Sequence, residues 1–327
     1  MFVETIHCRS ATEFLTAIAI DGPTPKLTYG SFLYRGVGVG SGDNEHRLIP
    51  SSLRLDRFAD LMRLSGSSNT NLDDCAKEEW IQARIEARVL GAFFRYADAQ
   101  GLPMPEITVD VRRTMQLPST SDALFNLVVQ RRHIWPPDDL LPLAGQAQHY
   151  GLPTRLLDWS RDPWVAAYFA AKGGMDRLIG ADSNNVADAP YIAVWVLNLE
   201  HLDDQQRLAR RDKPPQNPVV NAPVSLVTAP AASNANLRAQ QGVFTVWRPS
   251  FTQGAKQLVD RRPLDELIAE VFTDYEPTLP FFYKYTLPLD NVSDVWKTLR
   301  RNAINNAKLF PDFSGAVEAV HEEVKYK

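Results

Sequence analysis

The spacing of apolar residues changes halfway along this 327-residue chain, and that change limits the folds it can adopt. In the first half, Ile81, Ile85, Val89 and Phe93 recur at every fourth position, which predicts an amphipathic helix over residues 73–100. In the second half this spacing gives way to short runs rich in β-branched and aromatic residues, which are typical of strands. The sequence therefore predicts an α+β fold.

The individual elements follow from the same patterns and from their glycine and proline boundaries. Between the first two strands of the second half, residues 203–235 are polar and rich in Pro, Asn and Ala, which predicts a long loop. We expect one domain, 1–327, with a core over about 27–320 and a helical insertion over about 72–150. The predicted strands are 27–39, 191–199, 242–247 and 281–289, and the other predicted helices are 121–132, 137–150, 163–172, 293–301 and a last one to about Val324.

Composition and charge exclude several classes of protein. Cys8 and Cys75 alone supply neither a disulfide framework nor a thiolate zinc site, and the six histidines are scattered, so we expect no metal. The start MFVETIHCRS lacks the pattern of a signal peptide and no run approaches a spanning helix, so we expect a cytoplasmic protein that does not enter a membrane. The net charge of −4 argues against a body-wide nucleic-acid surface and leaves room for a local basic patch.

The densest group of polar side chains lies between Gln148 and Ser160, in the sequence QHYGLPTRLLDWS. One interpretation is a capped loop in which Arg155 and Asp158 form a local ion pair and His149 and Trp159 belong to the core. A nucleophilic triad of His149, Asp158 and Ser160 is the weaker alternative, because no GxSxG motif surrounds the serine and a helix N-cap explains it better.

Four motifs in order resemble the FRG family over about residues 30–320. They are Tyr34-Arg35-Gly36, QHYGLPTRLLDW with the following DPWVAAYFA, AQQGVF at 239–244 and LFPDFSG at 309–315. FRG domains are often met in bacterial defence or toxin-like settings. Their layout is similar to that of ADP-ribosyltransferases, which implies a split, mainly antiparallel sheet with flanking helices and a helical insertion after the first strand.

The resemblance implies NAD as substrate and a protein or nucleic-acid acceptor, with water as a further possibility. Arg35 would hold the phosphates or ribose of NAD through its planar fork, although a buried salt bridge to Asp158 is the alternative role. Asp158 would oppose the positive charge that develops on the ribose. The implied catalytic residues are Arg35, Asp158 and Gln240, and the implied NAD-binding residues are Tyr34, Arg35, Gly36, His149, Tyr150, Thr154, Arg155, Trp159 and Gln241, with Tyr168 as a further stacking candidate.

The chain departs from the ADP-ribosyltransferase pattern at the third motif, where Gln240 or Gln241 stands at the place of an acid. A glutamine can hydrogen-bond a ribose hydroxyl, but it cannot take a proton from an acceptor. Asp158, or an acid elsewhere such as Glu270 or Glu276, would then serve as the base. The alternative function is a non-catalytic sensor module that binds a nucleotide or nucleic acid in the same pocket.

Overall fold

The computed structural model describes residues 2–19, 31–41, 47–66, 78–116, 134–180, 190–212, 224–228, 234–248, 257–273 and 279–326. Seven strands form one sheet, with helices around it. The strands are β1 (Val3–His7), β2 (Phe32–Val37), β3 (Leu156–Ser160), β4 (Tyr191–Asn198), β5 (Val224–Val227), β6 (Gly242–Trp247) and β7 (Phe282–Pro288).

The described helices fall into three groups along the chain. The first group is α1 (Ala11–Ile18), before β2. Between β2 and β3 lie α2 (Leu55–Leu64), α3 (Glu79–Ala99), α4 (Val109–Gln116) and α5 (Leu141–His149). After β3 lie α6 (Pro163–Gly180), α7 (Leu199–Asp212), α8 (Ala235–Ala239), α9 (Leu264–Val271), α10 (Val292–Arg301), α11 (Asn306–Leu309) and α12 (Phe313–Lys325).

The strand order is β1-β7-β4-β2-β3-β6-β5, and every pairing except the parallel β1–β7 pair is antiparallel. The fold is therefore α+β with an open, mostly antiparallel sheet. Its weakest junction is central, because β2 and β3 pair only at Tyr34 and Ser160, whereas β2 pairs with β4 along its whole length. The sheet thus nearly divides between β2 and β3.

Helix α6 packs against β2 with almost no space between the two backbones. A Cβ atom on Gly36 would lie 1.8 Å from the carbonyl oxygen of Ala166, and one on Gly38 would lie 2.7 Å from Gly173. The predicted end of this helix at Gly173-Gly174 is wrong, since α6 continues to Gly180. The two glycines allow close contact with β2 and β4 instead of terminating the helix.

The segment between β2 and β3 is helical in its described parts, as predicted. Helix α3 lies within the predicted range of 73–100. Helix α5 follows a short 3-10 turn at Asp138–Leu140, and Gly151 after it has a φ of 91°, which is the predicted left-handed cap. The predicted helix at 121–132 lies outside the described residues.

The second half confirms the three predicted strands as β4, β6 and β7, within one residue or so of their expected ends. The predicted loop over 203–235 is wrong in its described part, which contains most of α7 and all of β5. Helix α7 buries Leu202 and Gln206 on one side, and β5 is held by antiparallel pairing with β6. Both depend on tertiary contacts that polar composition does not reveal.

The LFPDFSG motif contains the start of the last helix. Helix α12 begins at Phe313, inside that motif, and Asp312 caps it by accepting a hydrogen bond of 2.7 Å from the backbone N–H of Gly315. Helix α12 is joined to α6 through Glu322, which accepts hydrogen bonds from Tyr168 (2.5 Å) and Lys172 (2.7 Å). Among the described helices, none is both long and apolar enough to cross a membrane.

Candidate functional site

A cavity of about 670 Å³ opens where β2 and β3 diverge, and we call it the central pocket. The two strands pair at a single position, so side chains instead of ladder hydrogen bonds line the space between them. The polar and charged groups on the wall come from both sides of this gap. They are Tyr34, Arg35, Arg54, Gln148, His149, Asp158, Ser160, Arg177 and Gln240.

Arg35 spans the gap between the two strands. Its Nη1 atom lies 2.6 Å from Oδ1 of Asp158 and donates a hydrogen bond of 2.8 Å to the backbone carbonyl of the same residue. The Arg35 side chain is 12% exposed, and its Nε atom is buried with no hydrogen-bond partner among the described residues. An unsatisfied buried N–H is costly, so the Arg35 side chain is held here with one of its donors unused.

Asp158 presents the one carboxylate on the described wall of the central pocket. Its side chain is 62% exposed because it lies in a concave surface that is open toward the cavity. Burial by the surrounding protein works to raise the pKa of Asp158, but the adjacent Arg35 guanidinium outweighs this effect and holds the pKa below its ordinary value. Asp158 is therefore ionised at neutral pH.

Asp158 is held by a chain of hydrogen bonds that runs through Gln148 and Thr154. Gln148 donates a hydrogen bond of 3.3 Å to the Asp158 carboxylate, and the side-chain oxygen of Gln148 accepts one from the hydroxyl of Thr154. That hydroxyl in turn accepts a hydrogen bond of 3.1 Å from the backbone N–H of Leu156. Thr154 does not line the central pocket, so it positions Gln148 instead of contacting a ligand there.

The third motif reaches the pocket through Gln240. Its side chain lines the cavity and donates a hydrogen bond of 3.2 Å to the carbonyl of Leu309, while its own backbone carbonyl accepts one of 2.7 Å from Ser160. The Ser160 hydroxyl also accepts from the backbone N–H of Asp162 at 2.9 Å. Ser160 thus orders the turn before α6, but the predicted cap at Ser160 is wrong, since Asp162 caps the helix by accepting a hydrogen bond of 2.8 Å from the backbone N–H of Trp164.

Gln241 and Glu270, two other candidates for the role of the acid, do not line the central pocket. Gln241 has a φ of 47°, is exposed, and uses its backbone carbonyl to accept from the N–H of Arg161 at 3.1 Å. Glu270 lies in α9 and pairs with Arg262 at 2.7 Å. Glu276 lies outside the described residues.

Arg155 does not line the central pocket, although the resemblance placed it among the NAD-binding residues. Its side chain is 2% exposed and pairs with Glu79 and Glu86, the latter at 2.7 Å. The predicted local pair of Arg155 with Asp158 is also wrong. In extended backbone, residues three apart point to opposite faces, so Arg155 enters the core while Asp158 enters the pocket.

Of the predicted aromatic residues, three reach the wall of the central pocket. Tyr34 is almost fully buried, and this burial raises its pKa to about 12. Trp159 donates a hydrogen bond of 2.9 Å from its indole to Thr245, and burial lowers the pKa of His149. Tyr168 is wholly buried in the core and is not available to stack on a ligand, which corrects its assignment.

Gly36 and Tyr150 are the two remaining residues that the resemblance implied for NAD binding. Gly36 lines the central pocket, but its evident role is the close approach of β2 to α6. Tyr150 does not line the pocket; its side chain is 63% exposed, and its ring contacts the His149 ring edge-on.

Sequence reasoning missed two arginines on the pocket wall, Arg54 and Arg177. Arg54 precedes α2 and donates a hydrogen bond of 3.0 Å to the carbonyl of Ile49, and Arg177 donates one of 2.7 Å to the carbonyl of Gly38. Extending α6 past Gly173 would have found Arg177, which lies one turn further on the same face. For Arg54 the sequence carries no comparable signal.

The charges on the described wall of the central pocket are three arginines and one carboxylate. Burial lowers the pKa of Arg54, and the neighbouring Arg35 guanidinium lowers it further by repulsion. A site with this surplus of positive charge suits an anionic ligand. Among the described residues, no three His, Cys, Asp or Glu side chains are arranged to hold a metal ion.

Comparison with protein-family models finds a match to the FRG domain over residues 30–177. The matched range runs from the approach to β2 almost to the end of α6, so it contains Arg35 and Asp158 but not Gln240. Comparisons with curated proteins and with solved structures find no match.

Proposed function

We propose, from the premise that residues 30–177 form an FRG domain, that this protein is an NAD-dependent ADP-ribosyltransferase-like effector. It would belong to bacterial defence or toxin systems and transfer ADP-ribose to a macromolecular acceptor. The observation that carries the proposal is the central pocket, in which three arginines and one carboxylate meet at the gap between β2 and β3.

The size and charge of the pocket support a dinucleotide ligand. A volume of about 670 Å³ lies within the range of small-molecule sites, which is about 300–1,000 Å³. NAD carries its negative charge on a diphosphate, and arginine is the side chain best suited to bind phosphate oxygens in pairs. Arg35 and Arg54 both line the central pocket, so both guanidinium groups are candidates to bind this diphosphate.

The chemistry assigned to Asp158 follows from its charge and position. In the transfer, the bond between ribose C1 and the nicotinamide nitrogen breaks, nicotinamide leaves with the electron pair, and an acceptor nucleophile bonds to C1. Positive charge develops on the ribose during this step, and an ionised carboxylate opposite it would lower the barrier. Asp158 would also take the proton that the acceptor loses.

Two further features fit this assignment. Gln240 stands on the wall with an amide that can hydrogen-bond a ribose hydroxyl, although it cannot act as a base. The near division of the sheet between β2 and β3 supports the comparison with the split sheet of ADP-ribosyltransferases. Fold likeness alone does not establish function, so the proposal depends on the pocket.

A second candidate function is a sensor module that binds a nucleotide or nucleic acid without turnover. The specific observation in its favour is that polar groups on the wall of the central pocket already bond to one another or to the backbone. Gln240 donates to the Leu309 carbonyl, and Arg35 and Asp158 neutralise each other in the absence of a ligand. In this case the ligand would replace Asp158 as the partner of Arg35.

The experiment that tests the proposal follows nicotinamide release and transfer of label from labelled NAD, with cell lysate and nucleic acid as acceptors. The variants are Arg35→Ala and Asp158→Asn. Arg248→Ala is the matched control, because Arg248 and Asp138 form an ion pair with side-chain exposures of 12% and 61%, against 12% and 62% for Arg35 and Asp158.

The enzyme proposal predicts release by the wild type and by Arg248→Ala, and at least a hundredfold slower release by the two pocket variants, as is usual when a transition-state contact is lost. Binding of NAD without release of nicotinamide would contradict the enzyme proposal and favour the sensor module. The absence of both NAD binding and nicotinamide release would contradict the enzyme proposal and leave the sensor module with another nucleotide or a nucleic acid as its ligand.

A further inference from the structure

A second cavity of about 740 Å³ adjoins the central pocket, and we call it the arginine groove. The two cavities share Arg35, Arg54, Gln148 and Asp158, so a ligand in one can reach groups in the other. The groove continues over the surface of α2 and the turn after α5. Its remaining lining residues are Ser51, Arg57, Asp60, Arg63, Leu64, Gly151, Leu152 and Pro153.

The charge of the arginine groove is positive, although the whole chain has a net charge of −4. Four arginines line it against two aspartates. Arg57 and Arg63 are 60% and 79% exposed, and both lie near the carboxylate of Asp60. Asp56, which does not line the groove, also lies 3.9 Å from Arg57, so the charges of the two arginines are partly compensated.

An exposed aromatic residue, Tyr150, lies in the chain next to residues of both cavities, although it lines neither of them. Tyr150 lies in the chain between His149, which lines the central pocket, and Gly151, which lines the arginine groove. The Tyr150 side chain is 63% exposed, and its ring contacts the edge of the His149 ring. Sites for single-stranded nucleic acids combine cations with exposed aromatic rings, because phosphates need charge and unpaired bases need a stacking surface.

We propose that the arginine groove binds a single strand of nucleic acid, with phosphodiester groups at Arg57 and Arg63 and an unpaired base on Tyr150. An acidic peptide would use the same cations but would have no use for the aromatic ring. That the bound strand receives ADP-ribose rests on the proposed function, whereas binding of the strand does not.

The test measures binding of fluorescent single-stranded RNA and DNA, each about a dozen nucleotides long, by anisotropy over a range of salt concentrations without NAD. The test variants are Arg57→Gln/Arg63→Gln and Tyr150→Ala. The matched control is Lys297→Gln/Arg207→Gln, because each of these exposed cations also pairs with an acid one turn away on its own helix. A polyglutamate peptide of equal charge serves as the competing ligand.

The proposal predicts that at least one of the two strands binds to the wild type and to the control. Loss of Arg57 and Arg63 should weaken binding about tenfold and reduce the salt slope by about 1.4, at about 0.7 per lost phosphate contact. Tyr150→Ala should weaken it about fivefold or more with the slope unchanged. Polyglutamate should compete poorly.

Three results would overturn the proposal: no binding of either strand, equal weakening by the control variant, or polyglutamate binding as tightly as the strands. Because the assay contains no NAD, none of these results bears on nicotinamide release. Failure of nicotinamide release would likewise leave strand binding intact.

Discussion

Arg155 and Asp158 stand three residues apart in one motif, yet they take part in two very different charged clusters. Arg155 is sealed in the core with Glu79 and Glu86, and Glu86 also accepts hydrogen bonds from Trp135 (2.7 Å) and Ser52 (2.9 Å). Asp158 faces the central pocket, where its 62% exposed side chain has Arg35 as its ion-pair partner.

The difference shows how one short segment can serve structure and site together. The buried cluster ties the motif to helix α3, and the side chains of Arg155, Glu79 and Glu86 are at most 7% exposed, so its charges serve the fold. The Arg35–Asp158 pair instead lines the central pocket, and its carboxylate is 62% exposed, so a ligand in that pocket would meet it. Rigid attachment of Arg155 holds the neighbouring strand β3, and with it Asp158, in place.

The largest expected effect comes from breaking the buried cluster. Arg155→Met leaves Glu79 and Glu86 without a counter-charge in the core, so the free energy of unfolding should fall by about 3–5 kcal/mol. Urea unfolding followed by circular dichroism measures this loss. The triple variant that adds Glu79→Gln and Glu86→Gln should recover part of it, and a triple variant no more stable than Arg155→Met would show that charge is not the cause.

Breaking the Arg35–Asp158 ion pair should affect nicotinamide release far more than stability. Arg35→Ala leaves Asp158 open to water, so we expect a loss of about 1 kcal/mol in the free energy of unfolding, as for a partly exposed ion pair. Arg248→Ala, the matched control, should lose a similar amount and keep full nicotinamide release. If Arg35→Ala unfolds as severely as Arg155→Met, the Arg35–Asp158 pair is structural and the contrast between the clusters fails.

A smaller effect on activity should follow from cutting the chain of hydrogen bonds that runs from Asp158 through Gln148 to Thr154. Thr154→Val removes the hydroxyl that joins Gln148 to the backbone N–H of Leu156, at a cost of about 1–2 kcal/mol in the free energy of unfolding. Nicotinamide release should slow with little change in KM, because Gln148 no longer steadies Asp158. Thr154→Ser keeps the hydroxyl and should restore the rate.

The smallest effects concern pH and have opposite signs in the two clusters. The pKa of Asp158 is lowered in the folded state, so its contribution to stability is present above its unfolded pKa of about 4 and disappears as the pH falls through the folded value. Burial raises the pKa of Glu79 despite Arg155, so its contribution is present below about pH 4 and disappears as the pH rises through the folded value.

Unfolding free energies measured across the acid range would distinguish these two contributions. Asp158→Asn should flatten the decline of stability below about pH 4, and Glu79→Gln should change the dependence above it. The same change of slope in both variants would contradict the opposite signs.

The sequence predicted the parts of the fold that depend on local pattern. The apolar runs of β4, β6 and β7 and the periodicity of α3 are visible without tertiary information. By contrast, β1 is a strand only because it pairs with β7, almost the whole chain away, and α7 is helical despite a polar sequence.

The candidate site was predictable to a similar extent. The motif and the resemblance brought Arg35, Asp158 and Gln240 together in advance, and all three line the central pocket. Arg54 and Arg177 come from separate helical regions and meet the pocket only through the tertiary fold. Arg155 was misplaced because its charge suggests a ligand contact, whereas its position three residues before Asp158 sends it to the opposite face.

The central claim is that the Arg35–Asp158 ion pair, and not the buried cluster of Arg155, Glu79 and Glu86, contacts the ligand. Calorimetric titration of NAD into the wild type, Arg35→Ala and Arg248→Ala tests it most directly. We predict saturable binding to the wild type and to Arg248→Ala, and an affinity at least about tenfold weaker, or about 1.4 kcal/mol, for a folded Arg35→Ala. Equal affinity in all three proteins, or no binding to the wild type, would contradict the account.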